Sequence, residues 1–403
     1  MKILLVSQQY WPENWRIVDT AEELVRRGHQ VTVVCGVPND GNGNLLPEYR
    51  ETKNWVQNHG GVSILRIFDH PRRRGDLNLF AKYVSFTKKA TKLVSSLPGT
   101  FDLVLSNQLS PVMQIQPAIV YGKKWNKPTL VYCSDLWPES LAARGVINKG
   151  LTKPIYHHYL KVSRALYNAA DRILVTSPDY LDYLHRVDLV PMIKLAYLPQ
   201  YAEAIFTKKV GPHLDYQTKH NFVFAGNIGM AQDLECLLKA AKELETNPEI
   251  SIHIIGAGSD MAACQRLVAR SRISNVYFHG NMPLDSMPGA YEASDALIVT
   301  LSDDSFLKYV LPGKLQSYMA YGKPILSAAN GATPKIIAEA QCGFSVCSGD
   351  YQGLAACMKK ILALSSQETD ALSKNARDYS KSHFGRQTFF DRLEAEMKAL
   401  EKH

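Results

Sequence analysis

Short apolar runs alternate with amphipathic stretches along nearly the whole chain, and no other feature constrains the fold as strongly. Twelve such runs are rich in Val, Ile, Leu and Phe, at residues 2–7, 30–36, 62–68, 101–107, 128–135, 172–177, 221–228, 250–258, 276–280, 296–302, 324–329 and 343–348. Strands that are apolar on both faces and alternate with helices are typical of parallel sheets covered on both sides. The sequence therefore predicts an α/β protein.

The twelve runs form two series of six, separated by a polar linker at 211–220. A chain of 403 residues has the length of about two domains. We expect a first Rossmann-like domain at 1–200 and a second at 201–380, with a hinge near 198–204. The final helix, within 381–403, is expected to cross back to the first domain. Because ligands bind beyond the carboxyl ends of such strands, we predict two doubly wound domains that face each other across a cleft.

The composition favours a cytoplasmic protein. Seven cysteines are scattered along the chain without the spacing of metal ligands, which is typical of reduced, buried thiols. No apolar run approaches the roughly 18 uncharged residues that a membrane-spanning helix needs. The apolar part of the N-terminus is too short for a signal peptide and is predicted to be the first strand.

The net charge of +8 is concentrated in the first half of the chain. The first 200 residues hold 25 Lys and Arg against 16 Asp and Glu, whereas the remainder is close to neutral. Within 66–94 the basic residues are interleaved with apolar ones, and those expected to meet an anionic membrane surface are Arg72, Arg73, Arg74, Lys82, Lys88, Lys89 and Lys92. A solvated helix with one core face explains the pattern equally well. No nucleic-acid-binding motif accompanies the charge, so nucleic acid is not an expected partner.

Three glycine-bearing loops follow strands of the second series. They are Gly226–Gly229, the pair Gly256 and Gly258, and Pro312–Lys314, which opens a helix. Glycine lets backbone N–H groups approach an anion, and a helix N-terminus favours negative charge. Together with the lysine, the loops predict a phosphate site. The dinucleotide fingerprint G-x-G-x-x-G is absent, which disfavours a nicotinamide or flavin enzyme.

Four segments are specific enough to suggest a family. They are QQYWPE at 8–13, CSDLWPES at 133–140, GNIGMAQDLECLLKAA at 226–241 and VLPGKLQSYMAYGKPI at 310–325. Taken together they resemble family 4 glycosyltransferases of the GT-B fold, in particular the bacterial enzymes of capsular polysaccharide, O-antigen and colanic acid synthesis. The resemblance implies retaining, metal-independent transfer of a sugar from a nucleotide diphosphate, with a UDP-sugar as the expected donor. It implies a polyprenyl-diphosphate-linked oligosaccharide as acceptor, at the inner face of the plasma membrane.

The resemblance also implies a donor site in the second domain. Its residues are Gly226, Asn227, Gly229, Gln232, Gly256, Met282, Gly313, Lys314 and Ser317. The glycine turn would lie under the donor phosphates, and the backbone near Met282 would contact the nucleobase. Lys314 would pair with the diphosphate and neutralise charge on the leaving nucleotide, which makes it a catalytic candidate.

The chain departs from the family pattern at four positions. The usual pair of glutamates falls at Tyr309 and Ser317, and a serine offers the nucleotide ribose only a weaker hydrogen bond. Gln232 stands where a basic residue is common, and Ser134 where a histidine is common. Lys314 is therefore expected to be the principal side-chain cation of the donor site.

Three acidic residues of the first half are candidates for the acceptor side. Asp135 follows a strand and is expected to contact the acceptor hydroxyl or the transferred sugar; Glu139 is a second catalytic candidate and Glu13 an acceptor-binding one. The alternative for Asp135 is a helix cap, and for the two glutamates a structural role. The acidic run at 302–305 is interpreted as a turn and not as a metal motif.

Two other functions fit the sequence. A UDP-sugar 2-epimerase shares the two-domain architecture and the nucleotide site, and would act on donor alone. A non-catalytic GT-B subunit that supports a partner transferase would explain the missing glutamates at Tyr309 and Ser317.

Overall fold

The computed structural model describes residues 1–13, 15–40, 43–70, 76–143, 153–207, 216, 218–304 and 306–401. The strands in chain order are β1 Lys2–Val6, β2 Gln30–Gly36, β3 Val56–His59, β4 Val62–Ile67, β5 Leu103–Gln108, β6 Thr129–Cys133, β7 Arg172–Val175, β8 Leu195–Tyr197, β9 His220–Ala225, β10 Ile250–Ile255, β11 Val276–Gly280, β12 Ala296–Thr300, β13 Ile325–Ala328 and β14 Gly343–Val346. The α-helices are α1 Arg16–Arg26, α2 Asp76–Ser96, α3 Gln116–Trp125, α4 Glu139–Ala143, α5 Lys153–Ala169, α6 Asp179–Arg186, α7 Leu234–Leu244, α8 Met261–Ser271, α9 Met287–Glu292, α10 Gly313–Tyr321, α11 Ala332–Ala340, α12 Tyr351–Ala363, α13 Ser366–His383 and α14 Arg386–Glu401.

The chain divides into two compact units. The first consists of Met1–Leu198 with Phe390–His403, and the second of Pro199–Phe389. Most of α14 therefore belongs to the first unit, where ion pairs hold it. Arg27 binds Asp391 at 2.8 Å, and Arg172 binds Glu396 at 2.6 Å.

The first unit is built on an eight-stranded sheet in the order β3-β4-β2-β1-β5-β6-β7-β8. All neighbouring strands are parallel except β3 and β4. Helix α2 packs on the sheet through Phe86, Ala90 and Val94, which are fully buried and spaced four residues apart on one helical face. Its opposite face carries the exposed Lys88 and Lys92.

Lys82 also lies on α2, but it is buried. Its Nζ atom lies 3.6 Å from Oδ2 of the buried Asp69. An ion-paired lysine inside the unit does not reach a lipid headgroup, so the prediction for Lys82 is corrected. Lys88, Lys89 and Lys92 are exposed. Arg72, Arg73 and Arg74 lie outside the described residues.

The second unit contains a fully parallel six-stranded sheet in the order β11-β10-β9-β12-β13-β14. This is the Rossmann strand order, with its switch point between β9 and β12. Successive residues of β9 point to opposite sides, and each side is covered. Phe222 and Phe224 pack in one core with α7 and α12, whereas Val223 and Ala225 pack in another with α10 and α11.

Every predicted apolar run overlaps a strand, so the prediction of two doubly wound α/β sheets is confirmed. Two further strands were not predicted. β3 has the polar sequence VQNH and pairs at the sheet edge, and β8 has only three residues. Both are defined by their pairing partner, and a local apolar pattern does not reveal them. Within the described part of the chain, no helix is both long and apolar enough to cross a membrane.

Candidate active site

A pocket of about 440 Å³ opens at the carboxyl ends of β9, β10 and β11 in the second unit. Seven of the nine predicted donor-site residues line it: Gly226, Asn227, Gly256, Met282, Gly313, Lys314 and Ser317. They come from three different loops and from α10, which are brought together because the parallel strands end at one edge of the sheet. This is the edge at which ligands bind in open α/β sheets.

Lys314 is the most unusual residue of this pocket. Its Nζ atom is shielded from solvent and has no hydrogen-bond partner among the described residues. The Nζ atom lies over the face of the Phe224 ring, 3.5 Å from the ring centroid. Burial lowers the pKa of Lys314 to about 7, since an unpaired ammonium in an apolar environment is costly.

Two glycines make room for this lysine. Gly226 has a φ of +143° and Gly256 a φ of +138°, conformations that residues with side chains rarely adopt. A Cβ atom on Gly226 would lie 2.9 Å from Nζ of Lys314. A Cβ atom on Gly256 would lie 1.9 Å from the carbonyl oxygen of Gly226. Gly256 is therefore packed too closely for any side chain, and the φ of Gly226 favours glycine there.

Tyr318 fixes α10 to the end of β9. Its hydroxyl accepts a hydrogen bond from the N–H of Ala225 at 2.8 Å and donates one to the carbonyl of Ala225 at 3.0 Å. Tyr318 is fully buried, so this bidentate contact is shielded from water. It determines the position of Lys314, one turn earlier on α10, relative to the Gly226 turn.

The helix whose N-terminal residues line the pocket is α10, and no residue of α7 lines it. The glycine turn leads first into a short 3₁₀ turn at Met230–Gln232, and α7 starts only at Leu234. The carboxylate of Asp233 accepts a hydrogen bond from the N–H of Cys236, so α7 has its own anionic cap. α10 begins at Gly313 without a side-chain cap.

Gly229 and Gln232 lie beside the pocket and do not line it. The Oε1 atom of Gln232 accepts a hydrogen bond from the side-chain amide of Asn227 at 3.2 Å, so Gln232 orients a lining residue. Gly229 lines a neighbouring cavity of about 720 Å³ between α7 and α8. That larger cavity is lined by charged residues of both signs, among them Glu235 and Arg266.

Ser317 does not keep its hydroxyl proton available for a ligand. The hydroxyl donates a hydrogen bond to Oε2 of Glu203 at 2.6 Å. Glu203 lines the same pocket, although sequence reasoning missed it because the residue lies in the segment taken for the hinge. The sequence feature that could have identified Glu203 is an acidic residue at the start of the second domain, close to the domain boundary.

The acidic candidates of the first unit differ in the hydrogen bonds that hold them. Glu139, the first residue of α4, accepts hydrogen bonds from the hydroxyls of Tyr156, at 2.7 Å, and of Tyr183. Two tyrosine donors on one carboxylate oxygen favour a structural role. The Oε2 atom of Glu13 accepts from the indole N–H of Trp15 at 2.6 Å, within the loop after β1.

Asp135 follows β6 and lies three residues before the N-cap position of α4, so the helix-cap alternative is not supported. Its backbone carbonyl accepts a hydrogen bond from the side chain of Gln108, the last residue of β5, at 2.9 Å. This contact anchors the loop to the edge of the first sheet. Asp135 is half-buried.

Among the described residues, no group of three or more His, Cys, Asp or Glu is placed to hold a metal ion. In the acidic run at 302–305, Ser305 lies outside the described residues. The carboxylate of Asp304 accepts a hydrogen bond from the N–H of Phe306 at 2.7 Å, and that of Asp303 accepts from the side chain of Asn330. The contact between Asp304 and the N–H two residues further on is typical of an Asx turn.

Two family models match the sequence in succession. The model described as "Glycosyl transferase 4-like domain" matches residues 14–200, and the model described as "Glycosyl transferases group 1" matches residues 219–364. The first match lies in the first unit except for its last two residues, and the second match lies within the second unit. Between them they span most of the chain.

Proteins similar to this chain align with it over nearly its full length. WcaI of Escherichia coli K12, provisionally named a colanic acid biosynthesis glycosyl transferase, is 22% identical, and the alignment covers 97% of this chain and 99% of WcaI. Sucrose-phosphate synthase from Thermosynechococcus elongatus has a TM-score of 0.75 at 18% identity, with 99% and 98% of the two chains covered. Anabaena HepE in complex with UDP-glucose has a TM-score of 0.70 at 15% identity, with 99% and 100% covered.

These structural similarities confirm the predicted fold class, and the family matches confirm the predicted enzyme class. The sequence departures at Tyr309 and Ser317 lie within the matched region and do not remove the chain from the family. The chain is therefore a glycosyltransferase of the GT-B fold, in which a 4-like domain is followed by a group 1 domain.

Proposed function

We propose that this glycosyltransferase moves a sugar from a UDP-sugar to a lipid-linked oligosaccharide during the synthesis of a bacterial surface polysaccharide, with retention of anomeric configuration and without a metal ion. The observation that supports a nucleotide-diphosphate donor is the buried, unpartnered ammonium of Lys314. It lies in a glycine-lined pocket at the N-terminus of α10.

A buried cation without a partner is unfavourable until an anion arrives. A diphosphate supplies such an anion, and it gains charge when the bond to the sugar breaks. Lys314 and the backbone N–H groups at the start of α10 would stabilise that charge in the transition state. Side-chain and helix electrostatics would then do what a metal ion does in other transferases.

The comparisons support the choice of substrates. HepE was determined with UDP-glucose, and the two chains share a fold throughout their length. WcaI is assigned by name to colanic acid, a surface polysaccharide, and the alignment with it is almost complete. On the acceptor side we propose that Asp135 contacts the acceptor hydroxyl or the transferred sugar. Glu13 would line the acceptor path.

We further propose that the enzyme is cytoplasmic and binds the inner face of the membrane peripherally. Lys88, Lys89 and Lys92 form an exposed basic row on α2. Nζ of Lys89 donates a hydrogen bond to the carbonyl of Phe68 at 2.7 Å, and the ring of Phe68 is partly exposed beside it. Lysines next to an exposed aromatic ring suit an anionic lipid surface.

Vesicle flotation tests this surface. Wild type should float with vesicles that contain anionic lipid at low salt, and the double variant Lys88→Glu with Lys92→Glu should not. The control Lys123→Glu with Lys161→Glu changes two exposed lysines of the same unit by the same charge. Equal flotation of the two double variants would contradict membrane binding through α2.

The donor class is tested by thermal shift against UDP, GDP, ADP, CMP and dTDP and their sugars, with and without a chelator. We expect stabilisation by UDP and UDP-sugars that the chelator does not alter. Incubation with a polyprenyl-diphosphate-linked glycan should then consume the donor and extend the acceptor, and the anomeric configuration of the product reports retention. Conversion of the UDP-sugar without acceptor would instead indicate an epimerase.

A further inference from the structure

Glu203 brings a carboxylate into the donor pocket. Its Oε2 atom accepts a hydrogen bond from the hydroxyl of Ser317 at 2.6 Å, and both residues line the pocket together with Lys314. Lys314 and Ser317 lie three residues apart on α10, so they lie on the same face of the helix. Along the axis of α10 the two residues are about 4.5 Å apart, so the pocket wall carries a lysine close to the serine that binds the Glu203 carboxylate.

The two charges do not neutralise each other. Nζ of Lys314 has no hydrogen-bond partner among the described residues, whereas the carboxylate of Glu203 is held by Ser317. Because the lysine and the glutamate are kept separate, one ligand can meet both of them. That ligand must have an anionic group for Lys314 and hydrogen-bond donors for Glu203.

The position of Glu203 is fixed by its neighbours in the chain. The N–H of Ala202 donates a hydrogen bond to the carbonyl of Phe384 at 3.0 Å. The ring of Phe206 stacks on that of Tyr291, with 5.3 Å between the ring centroids. Ala202 and Phe206 are both buried in the core that also contains α10. A carboxylate between two anchored residues is preorganised, which favours a binding role over that of a mobile surface charge.

The chemistry of a carboxylate limits which part of a nucleotide it contacts. An ionised carboxylate accepts hydrogen bonds and does not donate them, so it repels the diphosphate and favours neutral donors. The two adjacent hydroxyls of a ribose can donate to its two oxygens. In a nucleoside diphosphate the ribose lies next to the phosphates, which matches the short separation of Ser317 from Lys314 along α10.

We propose that Glu203, oriented by Ser317, accepts hydrogen bonds from the 2′- and 3′-hydroxyls of the donor nucleotide, so that the pocket selects ribonucleoside over 2′-deoxyribonucleoside diphosphates. This inference rests on the proposed nucleotide-diphosphate site and specifies its ligand class. It assigns to Ser317 the role of a positioning residue: its hydroxyl proton is used by Glu203, and the carboxylate contacts the sugar.

The test compares UDP with 2′-deoxy-UDP and 2′,3′-dideoxy-UDP by titration calorimetry. Wild type should bind UDP at least about tenfold more tightly than the dideoxy analogue. In Glu203→Gln and in Glu203→Asp this preference should largely disappear, with the dideoxy analogue bound about as well as by wild type. Ser317→Ala should reduce the preference partially, because Glu203 remains but is less well oriented.

Glu292→Gln is the matched control. Glu292 also accepts a hydrogen bond from a hydroxyl of α10, that of Tyr321 at 2.5 Å, but it does not line the pocket. This variant should keep the wild-type preference. Melting temperatures without ligand identify variants that are not folded, and the ratio of two affinities within one folded variant is independent of the active fraction.

Three outcomes would overturn the proposal. Equal loss of UDP and dideoxy-UDP binding would mean that Glu203 acts on the pocket as a whole. Unchanged binding of both would remove it from the site. Unchanged UDP binding with weaker UDP-sugar binding would assign it to the transferred sugar. If wild type bound neither analogue nor UDP, the proposed donor site itself would fail, and this inference with it.

Discussion

The Nζ atom of Lys314 lies 3.5 Å from the centre of the Phe224 ring, at the end of the strand that leads into the glycine turn. The ring face is electron-rich and attracts a cation, but it offers no lone pair and only part of the stabilisation that water provides. The ammonium is therefore held in place, although none of the described residues accepts a hydrogen bond from it. This arrangement suits a group that must bind an anion and later release it.

Replacing Lys314 with alanine should weaken UDP binding about tenfold to hundredfold, because one charge-assisted contact to phosphate contributes about 1.5–3 kcal/mol. Calorimetric titration measures the change, and sugar transfer should fall further. Lys360→Ala is the control. Its Nζ lies 3.9 Å above the Phe344 ring, but the residue is exposed and outside the pocket. Equal UDP affinity in both variants would exclude Lys314 from the site.

UDP affinity should depend on pH through the same lysine. The pKa of free Lys314 is lowered to about 7, and a bound diphosphate raises it again, so above pH 7 binding must take up a proton. Affinity should therefore fall between pH 7 and pH 9, by up to about tenfold per pH unit. Lys314→Ala should bind weakly and without this fall. An equally steep fall in the variant would assign the titration to another group.

Phe224 should tune that titration. Phe224→Leu removes the ring beneath the ammonium, which should lower the pKa of Lys314 further, by up to about one unit. The pH at which UDP affinity starts to fall should move down by the same amount. Phe222→Leu is the control, because Phe222 is equally buried, on the same strand and in the same core, but no lysine of the described residues lies above its ring. A shift of similar size in both variants would show that loss of packing is responsible.

The glycine loops and Lys314 could be predicted from the sequence because their positions depend on local order. Each loop follows a strand, and parallel strands bring such loops together wherever the strands lie in the sheet. Gly256 is required by its contact with the backbone of Gly226, and Gly226 by its positive φ beside the Lys314 side chain. The strength of the lysine site was less predictable, since the lowered pKa depends on Phe224 and on burial.

Charged residues with tertiary partners could not be assigned from the sequence. Lys82 lies one turn before Phe86 on the buried face of α2, but only the buried Asp69 from another segment explains how a lysine is accommodated there. Glu139 follows a promising strand end, but Tyr183 of a later helix contacts its carboxylate. Glu203, in contrast, was not predicted as a site residue but lines the pocket. Its role depends on the packing of Ala202 and Phe206, which no local pattern reports.

Asp188 should make the protein less stable at neutral pH than at mildly acidic pH. It is fully buried; its Oδ1 accepts from Ser163, and its Oδ2 has no hydrogen-bond partner among the described residues. Burial raises its pKa from 3.8 to about 7. Between pH 4 and pH 7 the folded protein therefore keeps a proton that the unfolded chain releases. Over this range the free energy of unfolding should fall as the pH rises, by up to about 1.4 kcal/mol per unit.

Asp188→Asn removes this titration while preserving the shape of the side chain. The variant should be more stable than wild type at pH 8, and the difference should shrink as the pH approaches 4, because there the wild-type carboxyl is neutral in both states. Urea unfolding at a series of pH values measures it. Asp182→Asn, on the exposed face of α6, should follow wild type at every pH, since its ion pair with Arg186 is on the surface. If Asp188→Asn instead ran parallel to wild type from pH 4 to pH 8, the carboxylate of Asp188 would be ionised at little cost, and the buried Oδ2 would have to be solvated.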